Sequence, residues 1–318
     1  MQTKTDVSSP TGYTDIATKA PRWHTLVVFD ILLNNLATGL FLVAAVGELI
    51  APATFRSLAT WAYPVALALL LADLACLLLD LGDPLRFHHM LRVFKPTSPM
   101  SLGTWCLTAF SLPLTALVAV EFVAAAGWAS GDSTAAWWIR TLAVVGGLPF
   151  AFGAAAYKGV LFSTTAQPGW KDARWLGAYL VNTAVTLGAA ELLVIGALTG
   201  EPLAVDTLRL AVGLLIVLNL VVLALLVGDL YPLLSRLYAR RQFGVAGLFI
   251  LLTWVVIPAG SLLAGSVPVT ASVAVASLIL ASLGVRYAIV RLPHDATSSN
   301  WVRRRPPVAT GAGRASSR

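Results

Sequence analysis

Long apolar runs, each about the length of a bilayer crossing, alternate with short polar connections from Leu26 onward. A helix needs about 20 mostly apolar residues to cross hydrocarbon. Eight stretches meet this, roughly at 24–50, 58–81, 102–127, 136–157, 173–198, 206–235, 244–266 and 268–291. The first run, ending at Ile50, is too long for the apolar core of a cleavable signal, and residues 1–23 ahead of it are polar. The short alternating segments of a membrane barrel are missing. The pattern predicts an all-α integral membrane protein: an eight-transmembrane-helix bundle over 24–292, between a polar tail at 1–23 and a basic, disordered tail at 293–318. The join Gly265-Ser-Val-Pro-Val-Thr270 is short, so a re-entrant hairpin there is the alternative to the last two crossings.

Composition agrees. The 318 residues are 58% hydrophobic and 12% charged, with a mean hydropathy of +0.80. A soluble domain carries about 25% charged residues. The net charge of +7 would suggest nucleic acid in a soluble chain. Here it reads as loop charge that sets orientation, with lipid rather than nucleic acid as the contact. With both tails and the loops at 82–101, 158–172 and 236–243 on one side, that side holds 19 of the 22 Lys and Arg, including flanking helix ends. Arg56, Arg140 and Arg209 fall on the other. The positive-inside rule then predicts a multi-pass protein of the cytoplasmic (inner) membrane with both termini in the cytoplasm.

Against this background the segment from Asp80 to Trp105 stands out. It crowds two acids, two arginines, a lysine and two histidines between apolar runs. Charge at a membrane boundary is costly unless solvated, paired or used. The histidines His24, His88, His89 and His294 lie at helix ends or in loops, unsuited to holding haem inside a bundle. Cys76 and Cys106 form no CxxC pair, so neither haem nor an iron–sulfur cluster is expected in this chain. Both cysteines read as small buried hydrophobes.

Several spans carry polar residues: Asp30, Asn34, Asn35, Glu48, Asp73, Asp80, Glu121, Lys158, Asn182, Glu191, Asn219, Asp229 and Arg286. Glu48, Asp80 and Asp229 are expected at headgroup level, simply solvated. Asp73 and Glu191, nearer mid-span, are either protonated acids on a proton path or structural hydrogen-bonding groups. The asparagines suit bonds between helices. Trp137, Trp138, Trp170 and Trp175 read as interfacial anchors. Asn34, Asn35, the 82–101 loop, Tyr157, Lys158 and Arg286 fall toward one membrane face. A tyrosine, amides and basic groups beside apolar walls suit a quinone, whose carbonyls need donors and whose ring and tail need apolar contact.

Three blocks carry a resemblance. Asp80-Leu-Gly-Asp-Pro-Leu-Arg-Phe87, Met90-Leu-Arg92 and Ser98-Pro-Met-Ser-Leu-Gly-Thr-Trp105 resemble the loop between helices two and three of the NrfD/polysulfide-reductase membrane subunits. Gly153-Ala-Ala-Ala-Tyr-Lys-Gly-Val-Leu-Phe-Ser163, followed by Pro168-Gly-Trp170 and Leu187-Gly188, is similar to that family's tyrosine–x–glycine–leucine block and the helix after it. Leu283-Gly-Val-Arg-Tyr287 and Asn34-Asn-Leu-Ala-Thr-Gly39 fit the last and first helices. The resemblance runs from about residue 25 to 290.

The resemblance implies an eight-helix membrane anchor that binds quinone (menaquinone or ubiquinone). It exchanges electrons with an iron–sulfur, ferredoxin-like subunit and, through it, a molybdopterin or haem catalytic subunit. Tyr157 would be the quinone donor, with Asn34 or Asn35 as partner and His88 and Lys158 beside it. Asp83, Arg86, His89, Arg92 and Lys95 would shape the partner-facing loop. Asp73, Glu191, Asn219 and Arg286 would line a proton path. The chain departs from the family at Lys158, where threonine is frequent, and at Asn219, where an acid is common. Two rival readings remain at this stage: a secondary transporter of a small solute or ion, and a purely structural anchor.

Overall fold

Proline and serine mark where the crossings begin. Pro52, Pro99 and Pro202 occupy first-turn positions, where a missing N–H costs nothing. Ser98 and Ser133 cap two helix starts by accepting from the amides of Ser101 and Ala136. The computed structural model describes Trp23 and residues 25–298, apart from 82, 129, 131, 132, 266 and 267. Its helices are α1 (Thr25–Ile50), α2 (Pro52–Asp80), α3 (Pro99–Ala125), α4 (Thr134–Ser163), α5 (Leu176–Thr199), α6 (Pro202–Leu237), α7 (Arg240–Ile250), α8 (Ile257–Leu263) and α9 (Pro268–Ser298). A π-helical turn, Leu251–Val256, joins α7 to α8, so these form one crossing. Among the described residues, eight helices are thus long and apolar enough to span a bilayer. No strand occurs among the described residues.

Helix α1 runs through the middle of the bundle, packed by α2, α4, α5 and α9. Its approach to α5 is backbone on backbone. A Cβ on Gly39 would lie 1.9 Å from the Ala184 carbonyl oxygen, and one on Gly188 would lie 2.0 Å from the Gly39 carbonyl carbon. Small residues permit such closeness, which strengthens packing where water offers no driving force. One turn away, Asn35 Nδ2 donates to the Leu180 carbonyl at 2.5 Å. Asn219 Nδ2 likewise bridges α6 to Thr183 Oγ1 of α5 at 2.9 Å.

The last helix continues past the expected end of the membrane domain, through Pro293 to Ser298. A proline removes the N–H that would bond the carbonyl four residues earlier, here that of Ile289. Trp170 Nε1 donates to that carbonyl at 2.7 Å. Trp170 is 1% exposed and stacks on Phe162, so it is a buried tie between the α4–α5 connection and α9 rather than an interfacial anchor. Trp137, Trp138 and Trp175 are exposed. Trp170→Phe should leave the Ile289 carbonyl without a partner, costing about 1–3 kcal/mol. The check is thermal unfolding of the purified protein in detergent.

Glu48 also departs from expectation. It is buried at the far end of the bundle, with Tyr63 Oη donating to it at 2.7 Å. Arg140 pairs with both Glu48 and Glu121. Burying a carboxylate requires a partner, and α4 supplies one. Three of the basic residues used to orient the chain, Arg140, Lys158 and Arg286, are buried in the bundle rather than in loops. Removing them leaves the asymmetry intact. Tyr238, just past α6, donates to Asp295 on α9 at 2.6 Å. His24, with the basic residues of the N-terminal tail, and the tail beyond Ser298 lie outside the described residues.

Candidate functional site

At the opposite end from Glu48, three charged side chains meet inside the bundle. Lys158 Nζ lies 2.8 Å from Asp30 Oδ1 and 3.3 Å from Asp73 Oδ1. It also donates to the Asp30 carbonyl at 3.1 Å. Asn34 Nδ2 donates to the other oxygen of Asp73 at 3.1 Å. The ammonium and both carboxylates are almost fully buried, Asp73 completely. Helix geometry explains the meeting. Asp30 lies five residues into α1, Lys158 five residues before the end of α4, and Asp73 seven before the end of α2. The antiparallel arrangement brings all three to one depth.

Beside this cluster opens a cavity of about 460 Å3. Its walls are mainly apolar, with Ile31, Leu74, Leu77, Leu107 and Leu161 among them. Asp30, Tyr157 and Lys158 supply polar groups on one side, and Thr104, Thr108 and Ser111 on another. Small-ligand sites typically measure about 300–1,000 Å3, are mostly apolar and place a few polar groups. Lys158 Nζ sits 5.5 Å from the centroid of the Tyr157 ring, which faces it with its π surface.

Two of the sequence blocks converge on that tyrosine. A Cβ on Gly103 would lie 2.0 Å from the Tyr157 ring, so the glycine of the Ser98–Trp105 block makes the space in which the tyrosine of the Gly153–Ser163 block is held. A Cβ on Gly159 would lie 2.3 Å from Gly177 Cα, which fixes the end of α4 against α5. The polar segment borders the cavity. It folds as a 3-10 helix over Pro84–Leu91, and Phe87, Met90 and Leu91 join the cavity wall. Its outer side carries Asp83, Arg86, His88, His89, Arg92 and Lys95, all exposed. Asp83 and Arg86 pair at 2.9 Å. Leu85, Val93 and Phe94 are exposed among these charges.

The expected site residues therefore separate. Tyr157 and Lys158 line the cavity, whereas Asn34 stands behind it, holding Asp73, and Asn35 is committed to the Leu180 carbonyl. His88 is exposed, its Nδ1 3.1 Å from the Leu85 carbonyl oxygen, and is not in the cavity wall. The four residues expected along a proton path are not joined by direct bonds. Asp73 belongs to the Lys158 cluster and Asn219 to Thr183. Arg286, 1% exposed, donates to Ser282 one turn earlier on its own helix, and Glu191 Oε2 is buried without a hydrogen-bond partner among the described residues. Asp30 was missed as a site residue. Comparing depths along α1, α2 and α4 would have found it.

The family model described as "Polysulphide reductase, NrfD" matches residues 16–290. The chain belongs to this family. Membership makes this NrfD-family protein a membrane subunit of a respiratory oxidoreductase complex, which displaces the transporter reading. A search among curated proteins gives no match. The three blocks that carried the resemblance fall inside the matched region, and two of them meet at Tyr157.

Proposed function

We propose that this NrfD-family protein binds a quinone or quinol in the cavity beside Tyr157 and exchanges electrons with an iron–sulfur subunit docked on the 82–101 segment. The observation that carries this reading is the cavity itself: apolar walls for a ring and tail, a tyrosine, a lysine and a carboxyl on one side, and a charged segment along its border. The residues present fit the ligand. Tyr157 is the donor for a carbonyl oxygen, Lys158 adds positive charge beside it while committed to Asp30 and Asp73, and the leucines and Phe162 offer apolar contact. A bound quinone supplies two-electron, two-proton redox chemistry. The chain's own part is to bind it, orient it and exclude water.

The outer surface of the 3-10 segment mixes exposed apolar and charged side chains, the character of a docking rim. A ferredoxin-like subunit there would stand over the cavity, with the molybdopterin or haem catalytic subunit beyond it. The surviving charge asymmetry favours both termini, and hence this rim, on the cytoplasmic side.

The test is quinone binding by the purified full chain in detergent, followed by quenching of tryptophan fluorescence with decylubiquinone and with menadione; Trp23 is part of the cavity wall. Tyr157→Phe removes one donor, so the dissociation constant should rise about tenfold for a hydrogen bond worth about 1.4 kcal/mol. Quinone turnover by the assembled complex should slow in parallel. An unchanged dissociation constant and rate would remove Tyr157 from the site.

A further inference from the structure

The buried cluster next to the cavity does not balance its charges. Two carboxylates, Asp30 and Asp73, face one ammonium, Lys158. Fully ionised, the three carry one net negative charge in a region with almost no solvent contact, where unneutralised charge is costly. One bound proton makes the cluster neutral. The geometry points to Asp30 as its carrier. Asp30 forms part of the cavity wall, whereas Asp73 is sealed behind it, with one oxygen facing Lys158 and the other held by Asn34.

We infer that Asp30, Asp73 and Lys158 form a one-proton store that delivers a proton through Asp30 to a quinone oxygen in the cavity. This deepens the quinone reading and rests on it. In the reducing direction Asp30 gives up its carboxyl proton: the O–H bond of the acid breaks and an O–H bond to the quinone oxygen forms. The two electrons come from the iron–sulfur partner, and the second proton comes from water at the loop face. Asp30 is left as a carboxylate 2.8 Å from the Lys158 ammonium, which stabilises the charge until a proton returns. In the oxidising direction each step reverses.

Other titratable groups near Asp30 do not fill this role. From α2 come Cys76, outside the ion-paired cluster, and Asp80 at the cavity mouth. From α4 comes Tyr157, assigned above as the hydrogen-bond donor to the quinone. Tyr179 of α5 and Arg286 of α9 are charge neighbours of each other, and Arg286 is bonded to Ser282.

The experiment is redox difference infrared spectroscopy on the full chain loaded with decylubiquinone. A reducing potential step, followed in time, should remove the carbonyl band of a protonated carboxylic acid transiently, and the band should recover as a proton returns to Asp30. Asp30→Asn should abolish that band at decylubiquinone concentrations that tryptophan quenching shows to saturate the variant. Asp30→Glu should keep the band at a shifted frequency, which shows the effect is not one of misfolding. Turnover by the assembled complex should fall on the order of 100-fold in Asp30→Asn. Quinone binding without a carboxylic band, or a band that survives Asp30→Asn unshifted, would overturn the proton store alone. No quinone binding by the wild-type chain would overturn this inference and the quinone reading together.

Discussion

Replacing Lys158 with methionine should destabilise the protein by about 3–5 kcal/mol, the cost of removing one partner from a buried ion pair. The methionine fills the same volume, so the loss is electrostatic rather than steric. Asp30 and Asp73 would then face each other with no cation among the described residues within bonding distance. Asn34 alone would satisfy one oxygen of Asp73. The carboxylates escape this by taking up protons, so the deficit relative to wild type should shrink as pH falls and widen as it rises. Adding Asp30→Asn removes one of the two charges and should recover part of the loss. Thermal unfolding in detergent across pH, for the wild type, the single and the double variant, reads this directly. A Lys158→Met protein as stable as wild type at high pH would mean that the ammonium is not what neutralises the pair.

Sequence reading located the crossings well, because twenty apolar residues in a row leave the chain few alternatives. Residues whose role depends on a partner from another helix were harder to place. Glu48, two residues before the end of α1, looks like any acid at a headgroup boundary. Only the packing of α4 against both α1 and α3 shows that Arg140 links it to Glu121. Trp170 looked like an interfacial anchor because it sits in a connection between crossings, and the carbonyl freed by Pro293 lies more than a hundred residues later. Asp30 was visible as an acid in an apolar run, and Lys158 as a departure from the family's threonine. Neither fact alone predicts an ion pair. The missing step is depth: two acids and a lysine at similar distances from the same ends of α1, α2 and α4 are close to obliged to meet, because apart they would be uncompensated. Tyr157 was legible because two sequence blocks point to one face. What no pattern revealed is that Gly103 makes the space for its ring.

Gly188→Ala is the smallest change expected to disturb both the fold and the site. The added methyl would stand 2.0 Å from the Gly39 carbonyl carbon and 2.2 Å from its oxygen. Those are backbone atoms of α1, so no rotamer change relieves the contact. The helices must part, and overpacking of this kind costs about 1–3 kcal/mol and sometimes more. Parting also strains the Asn35 bond to the Leu180 carbonyl, two turns along the same contact. Because α1 carries Asp30 into the cavity wall, a shift of α1 moves the carboxyl away from Lys158 on α4. Gly188→Ala should therefore lower the melting temperature and weaken decylubiquinone binding together, although residue 188 is no part of the cavity wall. Gly188→Leu should fail to give a monodisperse protein on size-exclusion chromatography. Gly213→Ala is the control, since a methyl there meets nothing within 4 Å. Equal melting temperatures for Gly188→Ala and Gly213→Ala would mean that α1 and α5 do not cross at these glycines, and the placement of Asp30 beside Lys158 would lose its structural basis.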